Sequence, residues 1–380
     1  MFPSFRDSGP FLNLLPFPTG GGGVEIPTPA ITIGPVWTDN ADGTATVTFT
    51  TDIATYGGID FGTSTGVYTQ SAFDYDGAGP DLELATSHTV PVPDAMAGGT
   101  LPDDTYYYRV WGGTPAGFSG YISAEDTGVI TSLSPQAAAV INAYATPPSE
   151  ARQTLMAALI DGLIADGVWS SLDSLYVTAA PTEADTLINW KNPGTNNLSK
   201  TGTVTHSADV SMTGNGTTGR LTGSVRMNDA SFGFARYSAH IMVFTTGTRT
   251  NAFTCGNSDA ITNTSRCLLT ADNSFDSATF RINTPNSSGG KATTAATGFF
   301  LAQRTAGSVS QAYQNGATIG TADTDASDGE CDGIFTLCAG YSTAWAYSST
   351  GIKAGSFGPQ LSGAQISDLY LRLNTYLGAI

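Results

Sequence analysis

The sequence predicts an all-β protein made of two sandwich-like domains in series, and three observations carry that expectation. Charged residues are only 12% of the 380, while glycine alone contributes 45, a composition rich in turn formers and poor in helix formers. Short runs alternate apolar and polar residues with period two and are bounded by Gly, Pro, Asn and Asp, the pattern of half-buried strands. Helical periodicity is confined to residues 134–167 and 361–380.

Residues 1–30 are expected to form an anchor segment. Phe2, Phe5, Phe11, Leu14, Leu15 and Phe17 alternate with prolines and run into four glycines at 20–23, a flexible hinge. Such a strip cannot build a core alone, so it is expected to dock on another protein; folding back on its own domain is the alternative. Pro and Asp interrupt it too often for a secretory signal, and no apolar run reaches the roughly 20 residues that a membrane helix needs. With 32 acidic residues against 15 basic ones the net charge is −17, which repels phosphate backbones and anionic head groups. Neither nucleic acid nor membrane is expected as a partner.

Residues 31–133 carry strand patterns at 44–52 (TATVTFTTD), 55–63 (TYGGIDFGT), 87–94 (SHTVPVPD), 104–112 (DTYYYRVWG) and 124–132 (AEDTGVITS), with turn residues between them. This spacing reads as a β-sandwich. DTYYYRVWG resembles the F strand of a fibronectin type III domain, and TATVTFTTD followed by GGIDFGTSTG resembles its B and C strands. The resemblance implies that Tyr106 or Tyr108 bonds back to the preceding corner, and that Phe49 replaces the usual strand-B tryptophan.

Residues 134–190 are expected as a helical connector. Ser134 and Pro135 make an N-cap and first-turn pair, and Ser149 opens a second helix whose Leu155, Met156, Leu159, Ile160, Leu163 and Ile164 form a packing stripe ended by Gly167. Residues 191–380 return to strands: TGTVTHS, GRLTGSVRM, SAHIMVFTT, RCLLTAD, SATFRIN, GFFLAQRT, SQAYQNGATIG and GIFTLCAGY. Many strands without interleaved helices predict a jelly roll. A C-terminal helix should close it, with Ser362 and Gln365 as a capping box and Ile366, Leu369, Leu373, Tyr376 and Leu377 on one face. From SEARQTLMAALIDGLIADGVWSSLDSLYV through LINWKNPGTNNL and GNGTTGRL to that helix, residues 136–380 resemble a C-terminal module of bacteriophage tail and virion proteins, which is similar to concanavalin A-like lectin domains.

Several motifs invite a chemical reading and fail its context. GNGTTG (214–219) satisfies G-x-G-x-x-G but precedes a strand pattern, so a tight turn is expected, and the module resemblance implies a hairpin. GTSTG (62–66) fits the nucleophile-elbow pattern but lies in a sandwich turn, so Ser64 is not expected to be a nucleophile. His88, His206 and His240 each fall inside a strand pattern and are expected as ordinary sheet residues. Glu183 and Asp185 start the E-x-D-x-x-E pattern of β-glucanases, but Ile188 stands where the last Glu is needed. No enzymatic activity is expected. Cys255, Cys267, Cys331 and Cys338 match no zinc spacing; buried thiols are expected, with Cys255–Cys267 and Cys331–Cys338 disulfides as the alternative.

DTDASDGECDG (323–333) is the densest acidic run. It departs from the EF-hand template at its sixth and twelfth positions, so a solvated acidic loop is expected, with Ca²⁺ on Asp323, Asp325 and Asp328 as the alternative and no other cofactor. Sugar recognition combines ring stacking with carboxylate hydrogen bonds, which makes Tyr341, Trp345 and Tyr347, with the same three aspartates, the candidate glycan site. The condition is that the two segments share one end of the sandwich. The resemblance implies a virion surface protein, on capsid or tail, that docks on other virion proteins through residues 1–23, presents a glycan-binding head to the host cell and assembles as an oligomer, a trimer being a common fibre form. A purely architectural decoration and a secreted bacterial glycan-binding or glycan-cleaving protein are the alternatives.

Overall fold

The computed structural model describes residues 29–40, 42–74, 84–93, 99–113, 119–121, 123–130, 133–247, 252–257, 265–271, 276–286, 288–295, 297–341 and 345–380, with 119–121, 129–130, 150 and 345 described by backbone alone. The anchor residues Phe2, Phe5, Phe11, Leu14, Leu15 and Phe17 lie outside the described residues. The chain divides into two compact units, Met1–Leu133 and Ser134–Ile380, and the protein is all-β, with the helices among the described residues confined to the second unit.

In the first unit the strands are β1 (Ile31–Asp39), β2 (Ala45–Gly62), β3 (Gln70–Phe73), β4 (Ala85–Val92), β5 (Asp104–Gly113), β6 (Ser119–Tyr121) and β7 (Asp126–Ile130). The two strand patterns at 44–52 and 55–63 form one continuous strand. No turn residue separates them, so the backbone stays extended through Ile53 and Ala54 and passes from one sheet to the other. The first half of β2 pairs with β1 and β4, the second half with β3 and β5, and the register to β4 breaks between Thr50 and Thr55.

The two sheets enclose Val47, Phe49, Ile59, Phe61, Val90, Tyr106, Tyr108 and Val110. Of the two tyrosines named from the sequence, Tyr106 makes the corner bond: its hydroxyl donates to the Pro102 carbonyl at 3.0 Å. Trp37 of β1 packs on both, stacked on Tyr106 with ring centroids 6.2 Å apart and tilted against Tyr108 at 5.2 Å. The indole fits because position 128 is glycine; a Cβ there would come within 2.0 Å of it.

In the second unit, α1 (Pro135–Asn142) and α2 (Glu150–Ala165) begin at the expected caps, Ser134 accepting from the Ala137 N–H and Ser149 from that of Arg152. Met156, Leu159, Ile160 and Leu163 are buried, whereas Ile164 is 38% exposed, so the packing face is narrower than the stripe. Then follow β8 (Ser174–Val177), β9 (Ser199–Thr201), β10 (Val204–Ser207), β11 (Ser211–Gly214), β12 (Arg220–Arg226), β13 (Ala239–Thr246), β14 (Cys255–Asn257), β15 (Arg266–Thr270), β16 (Ser277–Thr284), β17 (Lys291–Ala292), β18 (Thr297–Ala306), β19 (Val309–Gln314), β20 (Ala317–Asp323), β21 (Ile334–Leu337), β22 (Ala339–Tyr341), β23 (Trp345–Tyr347), β24 (Gly351–Gly358) and α3 (Gly363–Ala379).

One sheet runs β10-β11-β24-β13-β18-β19-β20 with β8 also on β24, and the other runs β17-β16-β15-β14-β21-β12-β9. Between them lie Tyr176, Ile241, Val243, Leu269, Phe280, Ile282, Phe300, Phe335, Leu337 and Phe357, with all four cysteines. Because β8 belongs to the first of these sheets, residues 174–190 are part of the sandwich rather than of a separate connector. GNGTTG is a turn, but not a hairpin. It carries the chain from β11 in one sheet to β12 in the other, with Asn215 Oδ1 accepting the N–H groups of Thr217, Thr218 and Gly219. The capping box of α3 forms as expected, and its five apolar residues are buried.

Candidate functional site

The acidic run leaves β20 at Asp323 and enters β21 after Gly333, and its own backbone holds it in place. Arg304, fully buried on β18, donates to the Asp325 carbonyl at 3.0 Å. Arg236 donates to the Ser327 carbonyl at 2.6 Å, and Arg226 donates to that of Asp332. Asn283 accepts the Asp328 N–H on its carbonyl and the Cys331 N–H on its side chain. Three guanidinium groups thus bind backbone carbonyls while Asp328 stays exposed and Asp325 half-buried. Asp323 is tied down separately in an ion pair with Lys291 at 2.9 Å. Among the described residues no group of three or more His, Cys, Asp or Glu side chains is arranged to hold a metal ion.

Tyr341 and Tyr347, on the β22–β23 hairpin, are both half-buried, and the Trp345 side chain lies outside the described residues. The sharp turn into the hairpin is made by Cys338 at φ 62°. Gly340 lies against Leu268 and Phe253, so the hairpin covers the outer face of the second sheet. The Tyr347 hydroxyl accepts from Arg220 at 3.4 Å. Arg220 begins β12 and Arg226, which holds Asp332, ends it. A bulge between Thr222 and Arg226 sets four residues of β12 against two of β21, so the two ends lie closer than in a regular strand of this length. Tyr347 and the base of the acidic loop touch opposite ends of β12. Between them runs β21, which the loop enters at one end and the hairpin leaves at the other.

Glu183 pairs with Lys200, and Asp185 accepts the Thr182 hydroxyl while 4% exposed. Asp185 caps its own turn at 182–185, and Glu183 ties that turn to β9 through Lys200. The cysteines are neighbours in combinations the sequence did not suggest. Cys267 and Cys331 share the Asn283 carboxamide oxygen, and the Cys338 N–H donates to the Thr254 carbonyl beside Cys255. All four are free and buried. Burial pushes the Cys255 thiol up, and the Cys338 thiol up to about 12.

One constellation escaped the sequence reading. Thr55 Oγ1 lies 3.0 Å from His88 Nε2, and His88 Nδ1 lies 2.9 Å from Asp74 Oδ2, the hydroxyl–imidazole–carboxylate order of a hydrolase triad. Thr55 is 0%, His88 2% and Asp74 7% exposed, so no substrate reaches the hydroxyl. The group links the two halves of the first unit's sandwich, and His88 keeps the sheet position expected of it. Thr55 and Asp74 could not be joined to it from sequence because only the β2–β3 and β2–β4 pairings together bring them to His88.

No protein-family model matches the chain, and no curated protein matches it. Among solved structures it is similar to the receptor-binding domain of botulinum neurotoxin C/D mosaic serotype, at 11% identity and TM-score 0.37 over 53% of this chain and 51% of that one. It is similar to Trypanosoma rangeli sialidase at 9% identity and TM-score 0.42, over 87% and 52%. It is also similar to domain 4 of AbnA, a GH43 extracellular arabinanase from Geobacillus stearothermophilus, at 12% identity and TM-score 0.36, over 53% and 98%. The chain spans about half the length of the neurotoxin and sialidase structures. Likenesses this remote assign neither family nor activity.

Proposed function

We propose that the chain is a non-catalytic surface protein of a bacteriophage particle, docked on other virion proteins through residues 1–23 and presenting its second unit to a glycan of the host cell. The observation that carries this reading is the way the motifs resembling the virion module knit into one unit. Arg152 of the first motif binds Asp209 and the Ala179 carbonyl. Asn196 of LINWKNPGTNNL accepts the Ser224 and Val225 N–H groups, and Gln365 of the terminal helix donates to the Gly167 carbonyl. The motif order is thus the order of one folding unit. Within it the half-buried tyrosines of the hairpin are better suited to ring stacking than the acidic loop. The only carboxylate pair that the sequence offered for glycoside hydrolysis is occupied in ion pairing and turn capping.

Labelled antibody against the second unit should decorate intact particles, and purified protein should compete with particles for host adsorption. Unlabelled particles would sink the virion reading. Undiminished adsorption would leave an architectural protein without a ligand. Incubation with host surface polysaccharide should release no new reducing ends; their appearance would overturn the non-catalytic assignment.

A further inference from the structure

The second half of β2, with β3 and β5, turns one face to the core and the other outward. Ile59, Phe61, Ala72, Tyr106, Tyr108 and Val110 point inward and are at most 1% exposed. The alternate residues form two outward rows set by the strand register. In the first row Phe73, Gly58 and Trp111 stand side by side; in the second, Ser71, Asp60 and Arg109. Gly58 allows the indole to lie down on the sheet, since a Cβ there would come within 2.3 Å of the Trp111 ring. Phe73 braces the indole edge-on, with ring centroids 5.6 Å apart.

The second row is polar. Ser71 donates to Asp60 at 2.6 Å, Arg109 lies 5.0 Å over the Tyr68 ring, and Tyr68 donates to Glu125 at 2.5 Å. Glu125 also takes the Gly66 N–H, and these hydrogen bonds hold its carboxyl below the usual range. A flattened aromatic ring thus lies two residues along the strands from a row of fixed acceptors and a guanidinium. We propose that this face binds a neutral hexopyranose chain, the sugar's C–H face stacking on Trp111 and its hydroxyls bonding the Asp60–Arg109 row. The net charge of −17 selects neutral over anionic glycans. This goes beyond the head-based reading above, because it places a glycan surface on the first unit.

Calorimetric titration of the full chain with cellohexaose tests it. Saturable binding is expected, at least tenfold weaker in Trp111→Ala, partly restored in Trp111→Phe, and unchanged in Leu371→Ala on the second unit. If Trp111→Ala fails to unfold cooperatively, Phe73→Ala replaces it with the same expectation. No saturable heat with the wild type, or equal affinity in both alanine variants, overturns the proposal. So does a self-association, seen by sedimentation, that Trp111→Ala abolishes without any glycan heat, because a second copy would then be the occupant. The virion reading fails separately, on particles that lack the protein.

Discussion

His240 shows how one residue sets a pH dependence. It is fully buried on β13, its Nδ1–H donating to the Pro359 carbonyl at 2.6 Å and its Nε2 lying 3.4 Å from the Ser356 hydroxyl. Burial lowers its pKa from the ordinary 6.5 to about 4. Between those values the unfolded chain binds a proton that the folded chain refuses. Stability of the second unit should therefore fall as pH drops through that window, by about 3 kcal/mol from this residue, and be flat above it. Chemical denaturation of wild type and His240→Gln across the window checks this, the variant losing that slope. Asn196 sets stability through its backbone and hydrogen bonds rather than through charge. It adopts φ 54°, it is 3% exposed, and its side chain accepts two backbone N–H groups at 2.8 and 2.9 Å. Asn196→Ala should cost about 2–4 kcal/mol, because it strands both donors and strains the backbone. Urea denaturation measures it. Neither role was legible in the sequence, since both depend on partners that only the sheet register brings close.

At the scale of elements, legibility followed local chemistry. The three helix starts were readable because a capping serine is a local signal, and Ser362→Ala should cost about 1 kcal/mol in thermal unfolding through loss of the α3 capping box. SQAYQNGATIG, expected as one strand, is instead two, because Asn315 and Gly316 make a turn within it: φ values of 49° and 82° suit that pair, and β19 and β20 pair across it. β24 was not readable. Its sequence GIKAGSFG has little strand propensity, yet it is an interior strand, bonded to β8, β11 and β13. Gly355 lies where a Cβ would meet Leu337 at 2.6 Å, and Gly358 is similarly close to the Ser171 carbonyl. Close packing dictated those residues, and propensity reads only the chain itself. The composite glycan site rested on proximity along the chain. Sequence proximity placed the acidic run beside the aromatic hairpin, and the four residues of β21 lie between them. Conversely, the alternation in DTYYYRVWG already separated Tyr107, Arg109 and Trp111 from the inward tyrosines, so the outward row of the first unit was there to be found.

At the scale of the whole molecule, the two units hold separate cores. Residues 134–380 expressed alone should unfold in one cooperative transition at the temperature they show within the full chain. Calorimetry of both proteins checks it, and a large downward shift would mean that the first unit contributes to the stability of the second. The acidic loop has a different consequence for the molecule. Arg226, Arg236 and Arg304 grip its carbonyl oxygens, and every amino acid supplies a carbonyl. Its outward side chains at 324, 326 and 328 are therefore decoupled from its shape. Mutation can rewrite what this rim displays, charge included, while the scaffold beneath keeps the same outline, which lets a surface exposed to a changing counterpart diversify without refolding.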